Sequence, residues 1–440
     1  MRSIRVALLC GLLLTLQQVV FAQHGQITRW AESELLNSTA LRQAHTGICI
    51  YEPATGKYWY RYQDDRYFTP ASNTKIFTLY TGLRLLGDSL PALRYLQTDS
   101  VLYVKGTADP SFLHPDYTFQ PAWQLLQSTG KQISIVPAAT ENKRFGYGWA
   151  WNDYQDYYQP ELNEWPIYGN VARIRHHGDT TIITPRRFND TAHFSYRRDD
   201  KLEELLPERE EYSNRFSLAY NGKDASLQEA EVPFITGNTN DLAARLQDTL
   251  HKAVSVEHNF VPLNATDFKI LPGIPADSLF VTMMHRSDNF FAEQTLMMVA
   301  ARLWDTISTK KTIEFMESSY LAKLPDTPRW VDGSGLSRYN LFTPRDFVSV
   351  LSDMYKSYPQ ERLFAIFPTG GKGTLKNYYR QQFVHAKTGT LSGCVALSGY
   401  LITKKKKTLV FSVLVNNHNN SATNVRRTVE SFLTKIWDQY

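Results

Sequence analysis

Ser72 stands three positions before Lys75 in Pro70-Ala71-Ser72-Asn73-Thr74-Lys75, directly ahead of the apolar run that begins at Ile76. Residues i and i+3 are neighbours on a helix surface, so this spacing puts an amine within reach of a hydroxyl. A serine hydroxyl is a weak nucleophile until an adjacent group takes its proton, and a lysine can do so once burial or a second cation lowers its pKa. The same spacing recurs at Ser128/Lys131 and Ser308/Lys311, so alone it carries little. Two more short motifs follow Ser72, each present once: Ser287-Asp288-Asn289 and Lys387-Thr388-Gly389. Their residue types fit one reaction. Ser72 attacks a carbonyl and Lys75 takes its proton, while Ser287 relays a proton to a leaving amine and Asn289 offers an amide to hold the substrate backbone. Lys387 and Thr388 suit a substrate carboxylate, and Lys387 adds a second positive charge that favours a neutral Lys75. Gly389 leaves room for substrate beside its strand, and the backbone N–H groups of Ser72 and Thr390 are the oxyanion donors.

These side chains need elements to place them. The stretch Pro70 to Gly87 predicts a helix with Ile76, Phe77, Leu79, Leu83 and Leu86 inward, opened by proline and closed by glycine. Before it, a helical opening (Ile27 to Gln43) leads to a hairpin of His45 to Tyr51 and Tyr58 to Gln63, turning at Pro53-Ala54-Thr55-Gly56. From about Leu90 to about Asp267 the texture becomes short strand-like pieces such as Val101 to Val104, Gln132 to Val136 and Ala172 to Arg175. Helical periodicity returns near Ser278, breaks at His285 to Asn289 and resumes through Trp304, which puts the second motif at a turn between helices. Strands follow at Gln382 to Thr388, Cys394 to Thr403 and Thr408 to Asn416. A last helix buries Val425, Val429, Phe432, Leu433, Ile436 and Trp437. The fold class is α/β (α+β): one antiparallel sheet built from both chain ends, flanked by helices and interrupted by a largely β insertion. The expected division is residues 23–90 plus 268–440 for the catalytic part and 91–267 for the insertion.

The chain has 440 residues, of which 42% are hydrophobic and 21% charged, enough for roughly two or three globular domains. A net charge of +5 is mild, and its one dense basic run, Lys404 to Lys407, reads as a solvated hairpin turn, so no nucleic-acid partner is implied. Arg2 and Arg5 precede the apolar run Val6 to Leu16, and Val20-Phe21-Ala22 offers a cleavage site, so residues 1–22 read as a signal peptide. Leu8 and Leu9 ahead of Cys10 argue against lipid attachment. No later stretch has the apolar length of a membrane span. The expectation is an exported protein, in the periplasm or on the cell-envelope exterior, soluble or in peripheral contact with a membrane. Cys49 and Cys394 remain, either paired in an oxidising compartment or as buried thiols on separate strands. His176-His177 reads as a strand end rather than a metal site, and no metal or cofactor is called for.

The three motifs in this order, behind a signal peptide, resemble the joint signature of penicillin-binding proteins and class A β-lactamases. Further stretches narrow the likeness: Asp332-Gly333-Ser334-Gly335-Leu336-Ser337-Arg338, Gly373-Thr374-Leu375-Lys376-Asn377 and Gly148-Trp149-Ala150-Trp151-Asn152-Asp153. Over nearly the whole mature chain the sequence is similar to the class C low-molecular-mass penicillin-binding proteins, D-Ala-D-Ala carboxypeptidase/endopeptidases of the penicillin-binding protein 4 type. That family inserts domains between its first two motifs, and Ser72 and Ser287 are 215 positions apart. The resemblance implies a transpeptidase/β-lactamase-like catalytic domain and an acyl-enzyme on Ser72. It further implies action on the D-Ala-D-Ala end or D-Ala cross-links of peptidoglycan stem peptides, β-lactams as inhibitors, and contact of Asp153 with the free amine of the stem's diamino acid. Two stretches depart from the family pattern: Gly106-Thr107-Ala108-Asp109-Pro110 replaces a more glycine-rich run, and Tyr378-Tyr379 stands where an arginine is common.

Rival readings rest on single stretches. Gln159-Pro160-Glu161-Leu162-Asn163-Glu164 resembles the loop of the deacylating glutamate in class A β-lactamases, but Gln159 takes the glutamate's place and the stretch precedes Ser287. Gly370-Gly371-Lys372-Gly373-Thr374 fails the spacing of a phosphate loop. A non-catalytic cell-wall binding protein would not need Ser72, Lys75, Ser287 and Lys387 together.

Overall fold

In the computed structural model, described over residues 25–178, 180–223, 226–260 and 268–440, the two chain ends meet in one sheet. Its strands are β1 (His45–Glu52), β2 (Lys57–Tyr62), β3 (Val384–Leu391), β4 (Cys394–Ile402) and β5 (Thr408–Asn416). They run in the order β3-β4-β5-β1-β2, antiparallel throughout, with Cys49 opposite Ser412 and Lys387 opposite Ser398. The expected signal peptide lies outside the described residues, as does Asp267. Lys404 to Lys407 form the β4–β5 turn, where the Lys407 ammonium stands 3.4 Å from Glu52 and over the Trp59 ring.

The helices that matter here are α1 (Lys75–Leu85), α2 (Ala276–Arg286), α3 (Asn289–Leu303), α4 (Pro344–Ser357) and α5 (Ala422–Gln439). One face of the sheet, with Ile48, Val395 and Phe411, is covered by Val425, Val429, Phe432, Leu433 and Ile436 of α5 and by the N-terminal helical segment. The other face packs on α1, α2, α3 and α4 through Ile76, Phe77, Phe280, Leu296 and Leu351. Helix α1 is buried from Lys75 to Leu83, so its polar residues must bond inside: Thr78 Oγ1 donates to the Gly333 carbonyl and Thr81 Oγ1 to that of Phe77. Gly87 at φ +78 ends it, as a left-handed residue after a helix requires.

The intervening chain has its own core. The strands by which the chain leaves and re-enters the main body, Ser89–Gln97 and Lys269–Pro275, pair antiparallel at the edge of a five-stranded sheet. Among the described residues the insertion also holds two three-stranded sheets, one with Val171–His177 at its centre, and the helices Pro121–Ser128 and Thr239–Leu250. Among the described residues no helix is long and apolar enough to cross a membrane.

Candidate active site

The helix expected from Pro70 begins one turn late. Ala71–Thr74 form a 3-10 turn, with Ala71 at φ +48, and α1 starts at Lys75. The tighter turn keeps Ser72 and Lys75 three apart and facing: Lys75 Nζ lies 3.0 Å from Ser72 Oγ. The same nitrogen donates to Asn289 Oδ1 at 2.6 Å and to the Ser334 carbonyl at 2.7 Å. Two of these partners are carbonyl oxygens, which can only accept. A neutral amine therefore spends both N–H groups on them, and its lone pair faces the Ser72 hydroxyl.

The second motif caps two helices. Ser287, at φ +60, closes α2 in the left-handed region, and Asp288 opens α3 by accepting from the Phe291 N–H at 2.9 Å. Ser287 Oγ is 2.8 Å from Lys387 Nζ. Asn289, expected to hold substrate, lines the cleft with Ser72 and is itself oriented by the protein. Nδ2 donates to the Tyr158 carbonyl at 3.1 Å, which fixes Oδ1 toward Lys75.

The third motif sits mid-strand on β3, at the sheet edge. Lys387 Nζ also donates to the Thr388 carbonyl at 2.7 Å, and Thr388 Oγ1 meets Thr374 Oγ1 at 2.8 Å, inside the stretch resembling a phosphate loop. The space beside Gly389 is taken by the protein itself. A Cβ there would stand 2.7 Å from the Pro70 carbonyl and 3.1 Å from the Asn73 nitrogen, so the glycine lets β3 press against the nucleophile turn. Thr390 lines the same cleft as Ser72, and its hydroxyl is bonded by Arg426.

A fourth segment completes the site, and its role was not legible beforehand. The loop from Asp332 to Ser337 aims the Ser334 carbonyl at Lys75. Asp332 collects the N–H groups of Gly335 and Ser337, the Asn340 amide and the Trp149 indole. Glu293 of α3, 1% exposed, accepts from the N–H groups of Gly333 and Ser334 at 3.1 and 2.7 Å. Gly335 is required: at φ +80 its Cβ would lie 1.9 Å from the Ala71 carbonyl.

Burial sets the electrostatics. It lowers Lys75 to about 8, against the opposing pull of Asp332, Asp288 and Glu293. Lys387, expected to bring a second positive charge beside Lys75, stands in its field: burial first, and then the charges of Lys75 and Arg426, hold Lys387 well below the usual ammonium range. Glu293 is pushed up to about 8 by burial and by Asp332, yet both its oxygens accept N–H groups, the pattern of a carboxylate.

Asp153, in a 3-10 turn after Trp151, lines the cleft of about 580 Å³ that contains Ser72, Ser287, Asn289, Arg338 and Thr390. Gln159 is fully buried, its Nε2 on the Ala150 carbonyl at 2.9 Å, and Glu161 is held by the N–H and hydroxyl of Thr236. His176 and His177 end a strand, with His176 Nδ1 2.9 Å from Thr181 Oγ1. Cys49 and Cys394 are buried free thiols. Ser128 ends a helix and Ser308 caps another, so neither repeat of the serine–lysine spacing joins the cleft.

Comparison with known proteins bears on the family and the fold. Residues 31–436 match the model of the D-Ala-D-Ala carboxypeptidase 3 (S13) family. The D-alanyl-D-alanine carboxypeptidase of Actinomadura sp. (strain R39) is 25% identical, over 88% of this chain and 80% of that protein. The crystal structure of penicillin binding protein 4 from Haemophilus influenzae shares the fold at TM-score 0.70 and 20% identity, covering 94% of this chain and 98% of that one. A predatory peptidoglycan endopeptidase from Bdellovibrio bacteriovorus matches at TM-score 0.51 and 16% identity, over 90% of this chain and 93% of that one.

Proposed function

The chain belongs to the D-Ala-D-Ala carboxypeptidase 3 (S13) family, and from that premise we propose that Ser72 is the nucleophile and Lys75 its general base. The protein is a serine-type D-Ala-D-Ala peptidase of peptidoglycan stem peptides and a target of β-lactams. The observation that carries the assignment is the Lys75 nitrogen, held between two obligate acceptors with its lone pair on Ser72.

Ser72 Oγ attacks the penultimate D-Ala carbonyl as its proton passes to Lys75 Nζ. The oxyanion meets the backbone N–H groups of Ser72 and Thr390. Ser287, hydrogen-bonded to Lys387, hands a proton to the departing amine, and water later hydrolyses the ester. The paired hydroxyls of Thr388 and Thr374, in the field of Lys387, take the terminal carboxylate, and Asp153 takes the free amine of the stem's diamino acid. The same machinery cuts D-Ala cross-links when the leaving amine belongs to a second stem. Gln159, at the place of the β-lactamase glutamate, supplies this ester no base, because it is an amide buried on the Ala150 carbonyl. An exported location, after removal of residues 1–22, fits a substrate outside the membrane.

A fluorescent penicillin tests the reading. The expected result is a stable covalent label on the mature protein that Ser72→Ala abolishes. Rapid turnover of the label would indicate a β-lactamase, and no label at all would sink both enzyme readings.

A further inference from the structure

Strand β3 turns successive side chains to opposite faces of the sheet. Lys387 reaches Ser287 and Gly389 presses on the Pro70 carbonyl, whereas Thr388 and Thr390 stand opposite Leu397 and Val395, which belong to the core beneath α5. Helix α5 therefore approaches the two threonines. Val425 and Val429 are buried and hold the helix on the sheet, and Arg426 beside them bonds the Thr390 hydroxyl. Thr390 in turn lines the cleft with Ser72. A helix outside the three motifs thus touches the site at one side chain.

A guanidinium can only donate, so the Thr390 oxygen is the acceptor in this bond and its own proton is left to turn toward the cleft. The hydroxyls of Thr388 and Thr374, bonded to each other, spend one of their two protons on that bond and keep the other. A carboxylate then meets two hydroxyl donors, from positions two apart on one face of β3. Charge points the same way. Among the described residues Arg426 forms no ion pair, whereas its neighbour Arg427 pairs with Glu430, and Arg173 and Arg286 of the cleft pair with Glu231 and Asp116. The Nε of Arg426 is buried without an acceptor. Arg338, the other cleft arginine free of an ion pair, is turned to the Ser392 carbonyl. Arg426 also repels Lys387, whose charge is disfavoured by burial and its neighbours, while a guanidinium stays charged throughout. An anion at this end of the cleft relieves both.

We propose that Arg426 is a positioning residue for the substrate's terminal carboxylate: from α5 it fixes Thr390 as a second hydroxyl donor beside Thr388, and its unpaired charge selects an anionic chain end over a neutral one. The inference rests on the acyl-enzyme reading of Ser72 and on the carboxylate seat at Thr388, and adds a residue that none of the three motifs contains. Arg426 touches no reacting atom. Ser72, Lys75 and Ser287 carry the bond changes as before, and what Arg426 alters is how well the chain end is seated for attack. Discrimination at the terminal group therefore reports on it.

The test compares kcat/KM on an N-acylated D-Ala-D-Ala peptide and on the same peptide with its terminal carboxylate amidated. The wild type should favour the acid. Arg426→Met, which keeps much of the side-chain length but neither charge nor donor, should lower the acid-to-amide ratio by about tenfold, the effect of one lost charge-assisted contact. Arg426→Lys should retain most of the ratio. Because Arg426 acts through Thr390, adding Arg426→Met to Thr390→Val should lower the ratio by much less than it does alone. Saturating fluorescent penicillin and a thermal melt check that each variant is folded, and Arg426→Gln, read in the same way, stands in if the methionine variant is not. A residue needed only to hold α5 in place would slow both substrates alike. An unchanged ratio in Arg426→Met, or fully additive losses in the double variant, therefore overturns the proposal while the Ser72 reading stands. A wild type without preference for the acid overturns the carboxylate seat as well, and one that is labelled yet cleaves neither substrate overturns the peptidase reading beneath it.

Discussion

Lys75 has no exposed surface, and its nitrogen has three neighbours, so its protonation state decides whether Ser72 has a base. Below its depressed pKa of about 8 the ammonium dominates and offers no lone pair. The acylation rate by penicillin should therefore rise about tenfold per pH unit up to about pH 8 and then level off, measured by stopped-flow labelling. The sign follows because the reactive form is the deprotonated one. Asn289→Asp probes the same nitrogen. A carboxylate in place of Oδ1 favours the ammonium, so the acid limb should move to higher pH and the rate at pH 7 should fall by about ten- to a hundredfold. An unmoved limb would mean that Asn289 does not set the charge on Lys75. These partnerships were not legible in the sequence, although the residue types were. A carbonyl such as that of Ser334 carries no residue-type signal, and Glu293 reads as an ordinary helix glutamate until its burial is known.

The elements meet at backbone distances, and glycine decides two of those approaches. Gly389→Ala would drive a methyl into the Pro70 carbonyl and toward the Asn73 nitrogen, neither of which can swing aside. The strand and the nucleophile turn must part by several tenths of an ångström. The expected result is a loss of acylation rate on the order of a hundredfold, the scale of an ångström-sized misplacement, with a stable fold by thermal melt. From the sequence this glycine read as room for substrate, because a motif says which residue is small but not what fills the space. The order of elements was legible for a different reason. The continuous apolar run at Thr408 to Asn416, buried on both faces, and the period-3.6 run in α5 carry their own burial, and a sheet from both chain ends follows from strands at the two ends. The cysteines show what register adds. Cys49 lies opposite Ser412 and Cys394 opposite Asn416, with β5 between their strands. Two strand spacings of about 4.8 Å already exceed the reach of a disulfide. A thiol reagent should leave the native mature protein unlabelled and titrate both cysteines after unfolding without reductant; a disulfide on mass analysis would refute the register.

For the molecule as a whole, the site is a cost borne by the fold. The three motifs and the Asp332 loop come from distant parts of the chain and are clamped between the sheet and the α1–α3 layer, which excludes water from Lys75 and Lys387 alike. The two lysines differ in what faces them. Lys75 has Asp332, Asp288 and Glu293 pulling its pKa back up, whereas every influence on Lys387, namely burial, Lys75 and Arg426, acts to lower it. A buried cation without a carboxylate partner opposes folding. Replacing it by a methionine of similar length removes that opposition and keeps the side-chain volume, at the loss of hydrogen bonds to Ser287 Oγ and the Thr388 carbonyl. Lys387→Met should therefore abolish measurable acylation while raising stability by about 1 kcal/mol, the range of single stabilising changes at strained functional sites. The measurement is denaturant unfolding at pH 7 beside penicillin labelling of the same sample. A variant both inactive and less stable than the parent would show that the two hydrogen bonds outweigh the repulsion, and that the fold depends on Lys387 rather than tolerating it.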